Sequence, residues 1–203
     1  MPFWKNVPRL LLLVLLGGWL SLAVAAGEVE VRNPQLLPTD DGYAVSADFS
    51  FEFNSRLEEA VTRGVVLNFL VEFELNRNRW YWLDDKVVAK SQTIRLSYNA
   101  LTRQYRLSSG ALHQNFASLE EALRILARLR HWTVLDKSVS LRPGDTYQAA
   151  LRLRLDPSQL PKPFQLTALA SREWNLSSDW LLWPFTAPKD EPPKEGSARE
   201  PAK

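Results

Sequence analysis

His113 and His131 are the only histidines in this 203-residue chain, and it has no cysteine. A zinc or copper site would have to recruit carboxylates, and neither His has a second ligand at metal spacing. Both are expected to be structural or surface residues, with no metal and no cofactor. Adjacent acids occur at Asp40-Asp41, Glu58-Glu59, Asp84-Asp85 and Glu120-Glu121. Two carboxylates can divide acid and base work in a hydrolase. Yet Glu58-Glu59 and Glu120-Glu121 sit where a first helical turn favours negative charge, and the Asp pairs read as turn residues. There is no nucleophile elbow, no glycine-rich phosphate loop and no Ser-x-x-Lys pattern. No catalytic residue is assigned, and the chain is expected not to be an enzyme.

The tryptophans say more. Six of the eight follow the first 26 residues. Trp80 and Trp82 flank Tyr81, so a strand there places two rings on one face and one on the other. A second cluster runs from Trp174 through Trp180 and Trp183 to Phe185. Core packing is one reading of these rings. The other is a binding surface, because Trp, Tyr and Arg dominate interface hot spots. The candidate surface is Trp80, Tyr81, Trp82, Trp180 and Trp183. Docking of the second cluster at a membrane interface is a further option.

The elements that must position these residues are mostly strands. Residues 43–53 alternate Tyr43, Val45, Ala47, Phe49, Phe51 and Phe53 with small or polar partners. Residues 65–75 and 147–155 alternate in the same way. Period two with a polar outer face predicts half-buried antiparallel strands. Shorter strands are expected at 28–32, 80–83, 87–89, 93–98, 104–107, 134–141 and 166–170. A tight turn is expected at 84–86 and a hairpin loop at 99–103. Ser55 with Glu58, and Ser118 with Glu121, each read as a capping box opening a short helix. Gly64 ends the first, and the apolar stripe of the second runs as far as Leu129. The expected fold is mainly β: an antiparallel β-sandwich, immunoglobulin-like in general architecture, with two short helices in its connections.

The first 26 residues predict the compartment. Lys5 and Arg9 precede an apolar run over residues 10–23, and Ala23 and Ala25 put small residues at −3 and −1 of a cleavage site before Ala26 or Gly27. This is the layout of a secretory signal peptide and predicts a periplasmic protein. The alternative is an uncleaved inner-membrane anchor, since the run approaches spanning length. Without Lys5 and Arg9, 23 basic residues face 23 acidic ones, which gives no support for nucleic-acid binding. Residues 27–185 are expected to form one domain. Residues 186–203, rich in Pro and charge, read as a disordered tail.

The order of these pieces carries a resemblance. The leader, Glu28-Val-Glu-Val, the aromatic strand, Leu57-Glu-Glu-Ala60 and Gly64-Val-Val-Leu-Asn-Phe69 come first. Arg79-Trp-Tyr-Trp82, Leu96-Ser-Tyr98, Gln104-Tyr105, Ser118-Leu-Glu-Glu-Ala122 and the close over residues 174–185 follow. The chain resembles an exported proteobacterial family known only as domain of unknown function 4390. The resemblance implies a Gram-negative envelope setting and genes that neighbour those of a two-component sensor kinase and a ribosomal-RNA methyltransferase, and supplies no catalytic residues. The resulting expectation is a non-enzymatic module that binds another envelope protein. The alternatives are a carbohydrate- or peptidoglycan-binding module using exposed Trp and Tyr, and an unrecognised hydrolase.

Overall fold

The computed structural model describes residues 29–77, 85–139 and 141–189. Among these residues nine strands form two antiparallel sheets. The smaller is ordered β1-β2-β7, from β1 (Glu30–Thr39), β2 (Gly42–Ser50) and β7 (Arg128–Asp136). The larger is ordered β6-β5-β4-β3-β8-β9. Its strands are β3 (Leu67–Arg77), β4 (Asp85–Asn99), β5 (Gln104–Ser109), β6 (Leu112–Phe116), β8 (Thr146–Leu155) and β9 (Leu181–Thr186). The fold is thus mainly β and sandwich-like, as the alternation predicts.

β3 shows why the sheets pack. Leu67, Phe69, Val71, Phe73 and Leu75 are all 0% exposed, while Leu70, Glu72 and Glu74 on the other face keep contact with water. Opposite them, Val45, Ala47 and Phe49 of β2 and Leu129 and Val134 of β7 join the same core. Burial of the Val, Leu and Phe side chains among them contributes about 1.5–3 kcal/mol each.

Among the described residues three helices, not two, lie in the connections: α1 (Ser55–Thr62), α2 (Leu119–Leu126) and α3 (Lys162–Ala170). The first is capped by Asn54 rather than Ser55. Asn54 Oδ1 accepts from the Leu57 N–H at 3.0 Å, and its Nδ2 donates to the Glu173 carbonyl at 2.7 Å. Ser118 caps α2 as its sequence predicts, accepting from the Glu121 N–H. That helix stops at Leu126, because β7 begins two residues later and Arg130 donates to the Ala47 carbonyl of β2 at 2.9 Å.

The expected strand at 166–170 is the second half of α3. Pro161 and Pro163 favour a helix start there, and Leu166 is 74% exposed, so no sheet face claims it. The strands expected at 87–89 and 93–98 are one continuous strand, β4, paired along β3. Asp85 and Lys86 belong to β4 and not to a turn; Lys86 bonds Glu74 across the ladder at 2.7 Å. β6 was not expected. The strand expected at 134–141 is instead β7, which starts earlier and ends at Asp136. The folded chain also runs past residue 185. Thr186 pairs with Thr146, and Ala187 is 2% exposed.

Candidate functional site

The end of the chain approaches β8 before β9 begins. The Leu155 N–H donates to the Leu176 carbonyl at 2.7 Å, and Ser178 exchanges backbone and side-chain bonds with Leu153. Leu181 then pairs with Leu151. Two residues, Asp179 and Trp180, therefore stand across from one, Arg152. This is a bulge, a device that re-aims side chains. It sets the Trp180 ring over the Arg152 guanidinium, 4.4 Å from the ring centroid. Arg152 and Arg154 both donate to one oxygen of Glu72 on β3, at 2.6 and 3.0 Å. A rung of Trp180, Arg152, Glu72 and Arg154 thus crosses the outer face of the larger sheet.

Burial pushes the Glu72 carboxyl up, but the guanidinium hydrogen bonds and charges outweigh it and hold the group below its ordinary value of 4.5. A depressed carboxylate stabilises the fold above its unfolded value, and the contribution is lost as pH falls through the folded value. Glu72→Gln should therefore be less thermostable than wild type at pH 6–7. The gap should narrow as pH drops below about 4.5. Thermal midpoints between pH 7 and 3 check this, and a constant gap would contradict it.

Among the described residues β9 is an edge strand. The Ala187 N–H donates to the Asp145 carbonyl, and its own carbonyl accepts from the Gly144 N–H, both at 3.0 Å. The antiparallel ladder alternates, so the odd-numbered residues of β9 turn their backbone groups to β8. Leu182 and Pro184 turn theirs to the open side. Pro184, having no N–H, fits such a position.

β1, the edge of the smaller sheet, starts against this segment. The Val29 N–H donates to the Ser177 carbonyl at 3.4 Å. Beside this contact lies a groove of about 700 Å³ walled by residues 29–31 at the start of β1, 50–52 at the end of β2, and 178–181 leading into β9. Phe51, Trp180 and Leu181 supply apolar surface; Glu30, Glu52 and Asp179 supply carboxylates, and no basic residue lines it. Glu30 is paired with Arg32 at 2.6 Å, and neither Glu52 nor Asp179 makes an ion pair among the described residues.

Of the residues singled out in the sequence, Trp180 reaches this groove. Trp183 lies on the opposite face of β9, pointing inward, with its ring 6.2 Å from Phe73. The structure does not bring the two together. Trp174 is buried against Phe164, and Trp132 packs on the core. Trp80, Tyr81 and Trp82 lie outside the described residues, as do Ala23, Ala25 and Ala26 of the cleavage region. His113 bonds Ser108 on the larger sheet, while His131 sits in β7 of the smaller one. Asp40 and Asp41 form the β1–β2 turn, and the Glu pairs stay on α1 and α2, so no described acid pair converges with a histidine.

A model of one family, described as a domain of unknown function (DUF4390), matches residues 26–184. The chain belongs to the DUF4390 family. The DUF4390 match takes in both sheets and every wall of the groove. Among curated proteins and among solved structures nothing matches the chain. No helix among the described residues of this DUF4390 chain is long and apolar enough to cross a membrane.

Proposed function

We propose that this DUF4390 chain is an exported, non-enzymatic interaction module of the cell envelope that holds another envelope protein in the groove at Trp180. The observation that carries this reading is the bulge at Asp179-Trp180. It turns one large aromatic ring out onto an arginine beside an open cleft, whereas the other described tryptophans pack into the core. Trp and Arg together at the rim of a concave surface are the composition of a binding hot spot. Export is supported by the leader pattern and by a family match that begins at Ala26, within the expected cleavage region. The family resemblance points to a membrane sensor kinase as the partner.

The carbohydrate reading has less to rest on. Trp180 and Trp183 face opposite sides of β9, and one face of the Trp180 ring is covered by Arg152.

The test is a photoreactive residue placed at Asp179 in cells, with a control at Asn115 on β6, far across the sheet. A discrete adduct with an envelope protein from position 179 alone is the expected result. Equal adducts from both positions, or adducts from 115 alone, would remove the groove from the account.

A further inference from the structure

We infer that the groove takes an extended, basic segment of the partner protein, which adds as a strand to the open edge of β9. This rests on the reading of the groove as a docking surface and goes on to say what enters it and how.

Three observations carry it. The first is the backbone edge of β9, which no described strand pairs: the Leu182 N–H and carbonyl face away from β8, and Leu182 is 58% exposed. An unpaired strand edge is a template for another strand. The second is where proline lies. β1 carries Pro34 and Pro38, with a register break between Arg32 and Gln35, and β9 carries Pro184. Proline and bulges blunt edges against stray pairing. Both edges are blunted away from the groove, while residues 29–32 and 180–183 beside it carry no proline. The stretch left open on β9 accepts about four residues at ~3.3 Å each.

The third observation is charge. Glu30, Glu52 and Asp179 stand on the three walls with no basic residue among the lining side chains; Glu30 is paired with Arg32, and Glu52 and Asp179 make no ion pair among the described residues. An incoming strand points alternate side chains to opposite faces. Lysines or arginines on one face meet the carboxylates, and apolar side chains on the other meet Phe51 and Leu181. Main-chain bonds then supply affinity and the alternate side chains supply selection, as in other strand-addition complexes.

The probe is a fluorescent hexapeptide of alternating Lys and Val, compared with one of alternating Glu and Val. Each is titrated into the exported chain and followed by anisotropy and by backbone amide NMR. The Lys–Val peptide is expected to bind at least tenfold more tightly at low salt and to shift the Leu182 amide. Rising salt and Asp179→Asn should each weaken it several-fold. Methylating alternate peptide nitrogens, which leaves the protein untouched, should weaken it about tenfold. Leu182→Pro should do the same. That position already turns its N–H outward, as Pro184 does, so the ladder to β8 is kept.

Equal binding of the Glu–Val peptide, or indifference to N-methylation and to Leu182→Pro, would overturn the inference. So would self-association of the chain that Leu182→Pro abolishes, since a second copy would then own the edge. If the adduct from position 179 persists while those effects are absent, the docking reading stands and strand addition fails. If that adduct is absent as well, both fail.

Discussion

Gly42→Ala is expected to destabilise the protein by about 3 kcal/mol or more, with loss of the β1-β2-β7 sheet. Gly42 opens β2 at φ 134°, a conformation that side chains rarely adopt. A β-carbon there would stand 2.1 Å from the Leu135 carbonyl oxygen of β7. That neighbour is backbone in the strand paired to β2, so relief requires the two strands to move apart. The cost then includes the Gly42–Asp136 and Tyr43–Leu135 pairings. Gly64, at φ 89° with nothing within 4 Å of its would-be β-carbon, is the control. Gly64→Ala should cost only the local backbone strain, roughly 1 kcal/mol. Urea midpoints at constant m-value separate the two. Near-equal losses would mean that the close approach of β2 and β7 is not what fixes the smaller sheet.

Trp180→Ala should do the reverse, sparing the fold and removing the binding. The ring is half-buried and stacks on Arg152. Losing an exposed cation–π pair costs about 0.5–1 kcal/mol. Glu72 keeps both arginine hydrogen bonds without the ring. A tryptophan at the centre of an interface commonly contributes about 2 kcal/mol or more, so the partner should bind roughly 30-fold more weakly. Trp183 is the internal comparison. It lies three residues further on, in β9, but faces Phe73 in the core, so Trp183→Phe keeps the packing and leaves the groove unchanged.

The core was legible in the sequence because alternation is a local signal. Val45 to Phe49 and Leu67 to Leu75 each announce which side of a strand is buried, and the structure buries that side; a register shift between Tyr43 and Ala44 instead buries Ala44 and leaves Tyr43 half-buried. The α2 cap at Ser118 was legible for the same reason. The helix over 162–170 was not, since the short run Leu166-Thr-Ala-Leu-Ala170 fits either strand or helix. Its prolines at 161 and 163 were the available clue. The Asn54 cap was obscured by Ser55 beside it, a residue of equal capping propensity; the Glu173 carbonyl, 119 positions away, decides between them.

The groove was less legible still. Its walls come from residues 29–31, 50–52 and 178–181, and nothing in any one segment says that the others are near. The bulge that turns Trp180 outward depends on where Ser178 and Leu181 meet β8, which spacing along the chain does not reveal. Composition picked Trp180 and Trp183 together; only the ladder puts them on opposite faces. Pro34, Pro38 and Pro184 were the one sequence signal of which strands form edges.

The measurement that bears most directly on the groove as a contact surface uses the partner recovered by crosslinking from position 179. Its dissociation constant is compared for wild type, Trp180→Ala and Trp183→Phe, each shown to be folded by circular dichroism. The account predicts a loss of roughly 30-fold for Trp180→Ala and a value within a few-fold of wild type for Trp183→Phe. Equal affinity for wild type and Trp180→Ala, or an equal loss in both variants, would contradict it.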